Sequence, residues 1–251
     1  FAKKNKIKYV EIDDYSLKKD ELKSYFVNEK FDIIFVIGWS RLIPEKLLKL
    51  TGTDFIGWHG GPFLPPRCRG RAVVNWAIIN NETDFFLYTM LINEGIDAGK
   101  IIDKSCLLIS DDETAQSLYL KCAFKLSEFF NIYAKSPSRI SGERQSNDGA
   151  TYLPQRSPED GEIDWNLPAR TISRLTRALS QPFPNAWSKL NGKVLLIKRS
   201  KALDLQTQNT GNCGRILHIL NSGEIIVTTG NGLLLIEDFE YNSEYELEKD
   251  Q

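Results

Sequence analysis

The residues best suited to chemistry are a histidine and an aspartate in two glycine-containing stretches, His59 in GWHGGP and Asp97 in NEGIDAG. An imidazole exchanges protons near neutral pH, and a carboxylate beside it orients the ring and favours its protonated form. A histidine and an aspartate on neighbouring loops are therefore a ready pair for proton transfer. The other histidine, His218 in the run RILHIL, is interpreted as structural.

Strands and helices alternate around this pair, a pattern that predicts an open, mostly parallel α/β sheet. The run FDIIFVIG lacks polar alternation, which is typical of a strand buried on both faces. Ser16 is expected to cap the first helix, and Asp111 and Asp112 the longest one. The expected strands are 7–12, 31–38, 55–58, 84–91 and 100–109, and the expected helices are 16–28, 44–50, 72–79 and 113–134.

The later part of the chain predicts a second, smaller domain. The segment 136–162 is rich in Ser, Pro, Gly and charged residues, a composition typical of a linker. Within this part of the chain we expect the linker between the two domains at 153–165. A helix over 168–178 is followed by short apolar runs separated by NG and SG turns, and these indicate a β-rich domain. The chain is thus expected to hold an α/β domain over 1–152 and a β-rich domain over 166–251.

The composition disfavours several classes of protein. The 251 residues carry a net charge of −1, so no broad basic field favours nucleic acid as a partner, although a local basic patch stays compatible with it. The sequence contains no run of about 18 apolar residues, so no membrane span is expected. The four cysteines show neither CxxC pairing nor zinc spacing, so no metal site is expected and reduced thiols indicate a cytoplasmic protein.

Taken together, the motifs resemble the folate-dependent formyltransferases. A strand followed by His59 in a Gly/Pro turn carries the resemblance, together with RGRAVVNWAIIN and EGIDAGKII. The later YLPQRSPEDGEIDW, RALSQPFPNAW and TTGNGLLLIE resemble the linker and C-terminal domain of the same family. Each motif is weak alone, whereas their order and spacing are specific and cover nearly the whole chain. The resemblance implies a Rossmann-like sheet followed by an OB-like β-domain.

The resemblance also implies a reaction, the transfer of a formyl group from N10-formyltetrahydrofolate to an amine without a metal. His59 matches the family's base, which takes a proton from the attacking amine, and Asp97 matches the aspartate that orients it. The folate is expected between two loops. The residues implied in binding it are Trp39, Ser40, Arg41, Leu42 and Ile43 in the first loop and Glu94, Gly95, Ile96 and Asp97 in the second.

One position departs from the family pattern. The family carries Asn two residues before the histidine, where its amide donates to the tetrahedral oxyanion, whereas this chain has Gly57. Losing one such donor lowers rates by about 10²–10³-fold. Three interpretations stay open: the backbone N–H groups of Gly60 and Gly61 replace the amide, Asn75 or another side chain reaches in, or the protein is a weak or inactive relative. We favour replacement, because the histidine and the aspartate are retained.

The motifs say less about the substrate. INEGIDAGKI and RSPEDGEIDW are nearer to the sugar N-formyltransferases, so the expected partner is a nucleotide-linked amino sugar of a surface polysaccharide, such as the O-antigen of lipopolysaccharide. Arg67, Arg69 and Arg71, beside His59 in sequence, are candidates for binding its phosphates, or else are surface or buttressing charges.

Other functions compete with this one. Methionyl-tRNA formyltransferase is the first alternative, and a non-catalytic folate- or nucleotide-binding module is the second. Glycinamide ribonucleotide formyltransferase is disfavoured because it lacks the β-domain. The family's first strand, helix and strand precede the part seen here, so we expect the natural protein to be longer, and a homodimer is compatible with the sequence.

Overall fold

Helices and strands are interspersed up to Lys135, as the sequence pattern predicts for an α/β protein, although two pairs of strands follow one another directly. In chain order they are α1 Asp20–Asn28, β1 Ile34–Phe35, α2 Glu45–Thr51, β2 Phe55–Gly61, β3 Arg69–Gly70, α3 Val73–Ile79, β4 Asp84–Leu91, β5 Lys100–Leu108 and α4 Ala115–Lys135. A four-stranded sheet has the order β1-β2-β4-β5, and its first two strands pair in parallel. The computed structural model describes residues 2–12, 15–17, 19–137, 140–203 and 212–242.

Contacts between Cα atoms divide the chain into two units that do not follow the predicted domain boundaries. The first unit comprises Phe1–His59, Tyr88–Asp103 and Phe129–Gln145, and the second comprises Gly60–Leu87, Lys104–Glu128 and Ser146–Gln251. The α/β domain over 1–152, the linker over 153–165 and the β-rich domain over 166–251 stay predictions. In the first unit, an apolar cluster forms around the buried side chains of Ile43, Leu47 and Phe55.

The first two elements differ from their predictions. Residues 7–12 form no strand, since they pair with none of the described strands, and Ile7 and Val10 are exposed. The first helix begins at Asp20 rather than at Ser16. The cause is local, because Leu17 has a φ of 55°, which a right-handed helix does not admit. Lys18, also within the predicted helix, lies outside the described residues.

Strand β1 is shorter and less buried than the run FDIIFVIG predicts. Its two faces are covered: Ile34 packs against the apolar cluster, and Phe35 stacks on Phe130 with ring centroids 4.5 Å apart. However, β1 is the terminal strand of the described sheet, and Ile37 just beyond it is exposed. The strand is therefore shorter than the predicted span 31–38, and within the described sheet it has a neighbouring strand on one side only.

The long helix α4 has a different cap from the predicted one. Its cap is Thr114, whose Oγ1 accepts the backbone N–H of Ser117 at 3.1 Å while the Ser117 Oγ accepts the N–H of Thr114 at 3.0 Å. Asp111 and Asp112 lie in the turn before it. The reciprocal pair satisfies two N–H groups that the first helical turn leaves unpaired.

The part of the predicted linker region that belongs to the second unit forms regular structure. Its strand β6, Tyr152–Leu153, pairs in parallel with β3. A Cβ on Gly70 would lie 2.5 Å from the Leu153 carbonyl oxygen, so this close pairing requires glycine. A short 3₁₀ helix over Pro158–Gly161 follows, where the carboxylate of Asp160 accepts the backbone N–H of Ser157 at 2.7 Å.

The C-terminal part forms the predicted β-rich domain. Its elements are α5 Ala169–Ala178, β7 Ala186–Leu190, β8 Lys193–Leu203, β9 Ile216–Ile219, β10 Ile225–Thr228 and β11 Leu233–Asn242. The strands form one sheet in the order β7-β8-β11-β10-β9, with antiparallel neighbours throughout. Ile172 of α5 packs with Ile197 and Leu234 in its core, and His218 is exposed on β9.

The described residues offer few other groups for chemistry. Among them, no helix is long and apolar enough to cross a membrane, and no three His, Cys, Asp or Glu side chains are arranged to hold a metal ion. The four cysteines, Cys68, Cys106, Cys122 and Cys213, form no disulfide. Burial raises the pKa of the Cys122 thiol to about 12, and burial also raises the pKa of Cys68. Neither is therefore a thiolate nucleophile at neutral pH.

Candidate active site

His59 lies inside strand β2, not in the turn that the sequence predicted. The strand continues through Gly60 and Gly61, and the His59 residue is only 7% exposed. Its ring meets the ring of Tyr88 edge to face, with centroids 5.7 Å apart and an interplanar angle of 71°. A strand inside the sheet has a fixed backbone, so the imidazole is held in one direction.

Asp97 is the partner of this histidine. The structure brings its Oδ2 to 3.5 Å from the Nδ1 of His59, and its side chain is 21% exposed. Asp97 has a φ of 47°, in the left-handed region that aspartate adopts more readily than most side chains. The sequence places the two residues far apart, and the fold makes them neighbours.

The direction of this contact decides which ring nitrogen can act on a substrate. A carboxylate facing Nδ1 accepts a hydrogen bond from Nδ1–H and so selects the tautomer whose Nε2 holds the lone pair. His59 can then accept a proton at Nε2, which is what general base catalysis requires.

The loop that carries Asp97 is organised by its own residues. The Asn93 side chain accepts the N–H of Gly95 at 3.1 Å and donates to the carbonyl oxygen of Ala98 at 3.2 Å. A Cβ on Gly99 would lie only 1.8 Å from the Leu91 carbonyl oxygen, so the chain can close this loop only with glycine there.

Gly57 is packed against an apolar side chain. A Cβ at this position would lie 2.4 Å from the Cδ1 atom of Ile92. Residues 57 and 59 of one strand point to the same face, so Ile92 fills the space on the face of β2 that His59 also occupies. The position where the family carries an amide is therefore filled by a hydrocarbon group in this chain.

A Gly57→Asn variant should be destabilised by about 1–3 kcal/mol, because its side chain overpacks against Ile92. The Ile92→Val exchange removes Cδ1, so the double variant Gly57→Asn/Ile92→Val should recover most of this loss. Chemical denaturation of the two single variants and the double variant measures the coupling. An unfolding free energy that is unchanged in Gly57→Asn would show that Ile92 does not close this space.

The three oxyanion candidates all belong to the second unit and have structural neighbours there. A Cβ on Gly60 would lie 2.5 Å from the ring of Phe85, and a Cβ on Gly61 would lie 2.9 Å from the Cβ of Cys68. The amide nitrogen of the buried Asn75 donates to the carbonyl oxygen of Ala178 at 2.7 Å. Close packing thus accounts for the two glycines, and a fold contact engages the Asn75 amide.

The first predicted folate loop presents both buried and open side chains. Ile43 is buried in the apolar cluster, with Trp39 packed against it. Trp39 also stacks on Tyr15 at 5.6 Å, and the Arg41 guanidinium lies 5.5 Å from the centroid of the same tyrosine ring. Leu42 is 56% exposed, and Ser40 and Arg41 are exposed as well.

The second predicted folate loop begins beside the same cluster. Ile92, which precedes it, packs against the cluster that holds Ile43 and Trp39. Within the loop, Ile96 is 48% exposed and Glu94 is exposed as well. The two loops therefore start from one apolar cluster, and each carries an exposed aliphatic side chain.

Arg69 is committed to the fold of the second unit. The residue is 1% exposed, and its guanidinium donates to the Asn147 side chain at 3.1 Å and to the Ser146 carbonyl oxygen at 3.3 Å. These contacts hold the segment before β6 against β3. They support the buttressing role for Arg69, because a buried guanidinium with these partners does not reach a substrate.

Arg67 and Arg71 are more open than Arg69. Arg67 covers the ring of Phe63, with its Cζ 3.8 Å from the ring centroid. Arg71 donates to the side-chain oxygen of Gln155 at 3.0 Å. Both are exposed, so their role in binding a phosphate stays a prediction.

Three residues at this site carried no signal in the sequence. Tyr88, in β4, contacts His59, and Ile92, just after β4, lies against Gly57. Both contacts arise because β4 lies beside β2 in the sheet. Gln145 donates to the backbone of the Asp97 loop from 48 residues away. No local pattern marks any of them, since each acts through a partner that is distant in sequence.

Comparison with known families gives this geometry a context. The family described as formyl transferase matches residues 2–131, and the formyl transferase C-terminal domain matches residues 156–248. The chain belongs to the formyl transferase family. Among its relatives, the methionyl-tRNA formyltransferase of Caldanaerobacter subterraneus subsp. tengcongensis is 32% identical over 207 residues, which make up 82% of this chain and 65% of that protein. The chain thus spans about two thirds of this relative's length.

Solved formyltransferases share the fold. The N-formyltransferase from Helicobacter canadensis, in complex with folinic acid and dTDP-3-aminofucose, matches with a TM-score of 0.67 at 18% identity. The match covers 95% of this chain and 81% of the chain of that enzyme. The methionyl-tRNA formyltransferase from Clostridium thermocellum matches with a TM-score of 0.66 at 20% identity, over 96% of this chain and 91% of the chain of that enzyme. They confirm the predicted α/β sheet with a C-terminal β-domain.

Proposed function

We propose that the protein transfers a formyl group from N10-formyltetrahydrofolate to the amine of a nucleotide-linked amino sugar. The observation that carries the proposal is the buried His59, whose Nδ1 lies 3.5 Å from the Asp97 carboxylate. Membership of the formyl transferase family supports the reaction class.

The chemistry follows from the proton that the amine must lose. When bound, the folate supplies an activated formyl group whose carbon the neutral amine attacks. His59 takes the amine proton at Nε2 as the new C–N bond forms, and Asp97 stabilises the imidazolium. His59 would then return this proton to the leaving folate nitrogen, which would restore the neutral imidazole.

The two loops of the first unit suit the folate. A flat pterin and benzoyl group needs apolar walls, and Leu42 and Ile96 are exposed on loops that start from one cluster. A carboxylate tail needs a cation, and Arg41 is held over the ring of Tyr15 beside these walls. Trp39, Ser40, Ile43, Glu94 and Gly95 complete the proposed binding loops.

The observations favour two different acceptors. A net charge of −1 and the likeness to a structure solved with dTDP-3-aminofucose favour a nucleotide sugar. The relatives named as methionyl-tRNA formyltransferases favour an aminoacyl-tRNA. A polyanionic tRNA would need clustered cations, and with Arg69 buried, the exposed pair Arg67 and Arg71 suits a diphosphate better.

A direct assay separates these acceptors. The protein is incubated with N10-formyltetrahydrofolate and either a panel of dTDP- and UDP-linked amino sugars or methionyl-tRNA, and the formylated products are identified by mass spectrometry. We expect product from an amino sugar, with a KM that changes little between 50 and 200 mM salt. If only methionyl-tRNA is formylated, the acceptor is a tRNA rather than a nucleotide sugar. If no acceptor yields a formylated product, the proposed reaction is refuted. A cytoplasmic location and a homodimer stay predictions.

A further inference from the structure

A glutamine from outside the Asp97 loop holds two of its carbonyl groups. The Nε2 atom of Gln145 donates to the carbonyl oxygen of Asp97 at 2.9 Å and to that of Gly99 at 2.7 Å. An amide nitrogen carries two hydrogens, so one side chain can satisfy both acceptors. The two bonds fix the peptide planes that follow Asp97 and Gly99.

These two hydrogen bonds act on a backbone that is strained at Asp97. A left-handed residue other than glycine costs roughly 1–2 kcal/mol, less for aspartate, and Asp97 has a φ of 47°. The bonds from Asn93 lie within the loop, so they shape it without fixing it to the rest of the unit. Gln145 supplies that external connection.

The segment that carries Gln145 is itself fixed to the start of β5. Ile101 and Glu143 exchange two backbone hydrogen bonds, each of 2.8 Å. A Cβ on Gly142 would lie 2.8 Å from the side chain of Lys100 and 2.9 Å from the Ile101 carbonyl oxygen, so the close approach requires glycine. The segment is thus anchored three residues or fewer before Gln145.

We propose that Gln145 is a positioning residue for the Asp97 carboxylate: by binding the carbonyl oxygens of Asp97 and Gly99, it keeps Oδ2 within reach of His59 Nδ1. The inference rests on the proposed function for its catalytic consequence. Its structural part, the fixation of the loop, is independent of the substrate. Displacing a catalytic group by about 1 Å from a remote site can lower a rate by about 10²-fold.

Two variants of Gln145 test this role. Gln145→Met keeps the length without any donor, and Gln145→Glu keeps the shape while presenting acceptor oxygens to two carbonyls. Both should lower kcat for formyl transfer by about 10- to 10²-fold, with KM values within about twofold. Arg144→Met, at the exposed neighbouring position, is the matched control and should leave kcat unchanged. Combined with Asp97→Asn, Gln145→Met should add less than about a twofold loss, because both act through one carboxylate.

Backbone amide hydrogen exchange over residues 93–99 gives a measurement that needs no turnover. Exchange there should be faster in Gln145→Met than in the unchanged protein, with no change in β8 and β11. If the unchanged protein transfers no formyl group while this exchange still rises, the proposed function fails and the positioning role stands. Unchanged exchange, an unchanged kcat, or a full additional loss in the Asp97→Asn background would each overturn the positioning role.

Discussion

A His59→Ala variant should form N-formylated product about 10²–10⁴-fold more slowly than the unchanged protein. The reason is the loss of the proton acceptor. Among the described histidines, His59 is the only one whose ring the structure pairs with a carboxylate, and it lies inside a buried strand. An amine that keeps its proton after attack is a better leaving group than the folate nitrogen, so the intermediate returns to reactants. Single-turnover formylation of the accepted acceptor at saturating folate measures the effect on chemistry.

The design must separate catalysis from folding, because His59 is buried and packs on Tyr88. His59→Gln keeps a polar side chain of similar length without a basic nitrogen, and it should show the same loss of rate with a smaller loss of thermal stability. His218→Ala is the matched control, since this exposed histidine on β9 should be replaceable without loss of activity. A formylation rate in His59→Ala equal to that of the unchanged protein would exclude the base.

An Asp97→Asn variant should also lose rate, by between about 10-fold and 10⁴-fold, the upper figure being the loss for the same exchange in a serine protease triad. An amide beside Nδ1 can donate to it, which selects the tautomer with the proton on Nε2 and removes the lone pair that the amine needs. The exchange is nearly isosteric. Asparagine also tolerates the left-handed backbone at this position, where φ is 47°.

The fold should therefore survive this exchange, which makes the kinetic loss interpretable. Thermal unfolding should move by the equivalent of about 1 kcal/mol or less. Glu143→Gln is the matched control, because it removes one negative charge from an exposed side chain of the same unit, and its kcat should stay within about twofold of the unchanged value. Equal losses in both variants would mean that a general loss of negative charge, rather than the Asp97 carboxylate, matters.

The elements that local patterns describe well were predicted almost to the residue. Strand β4 spans Asp84–Leu91 as expected, and helices α3 and α5 begin one residue later than expected. These elements have a clear period and clear boundaries, which depend on neighbours in the chain. The larger errors fall at residues 7–12, which form no strand, at Leu17, whose φ is positive, at β1, which lies at a sheet edge, and at β2, which continues through Gly61. None of these properties is written in residue type.

The sequence by itself determined the family, the α/β and β-rich parts, and which histidine and aspartate carry the proposed chemistry, because motif order and residue type suffice for these. Only the tertiary structure decided the environment of that pair. It placed His59 within β2, buried Arg69, engaged Asn75, and set Ile92 against Gly57. Each of these depends on contacts between residues distant in the chain, and such contacts follow from the packing of whole elements rather than from local pattern.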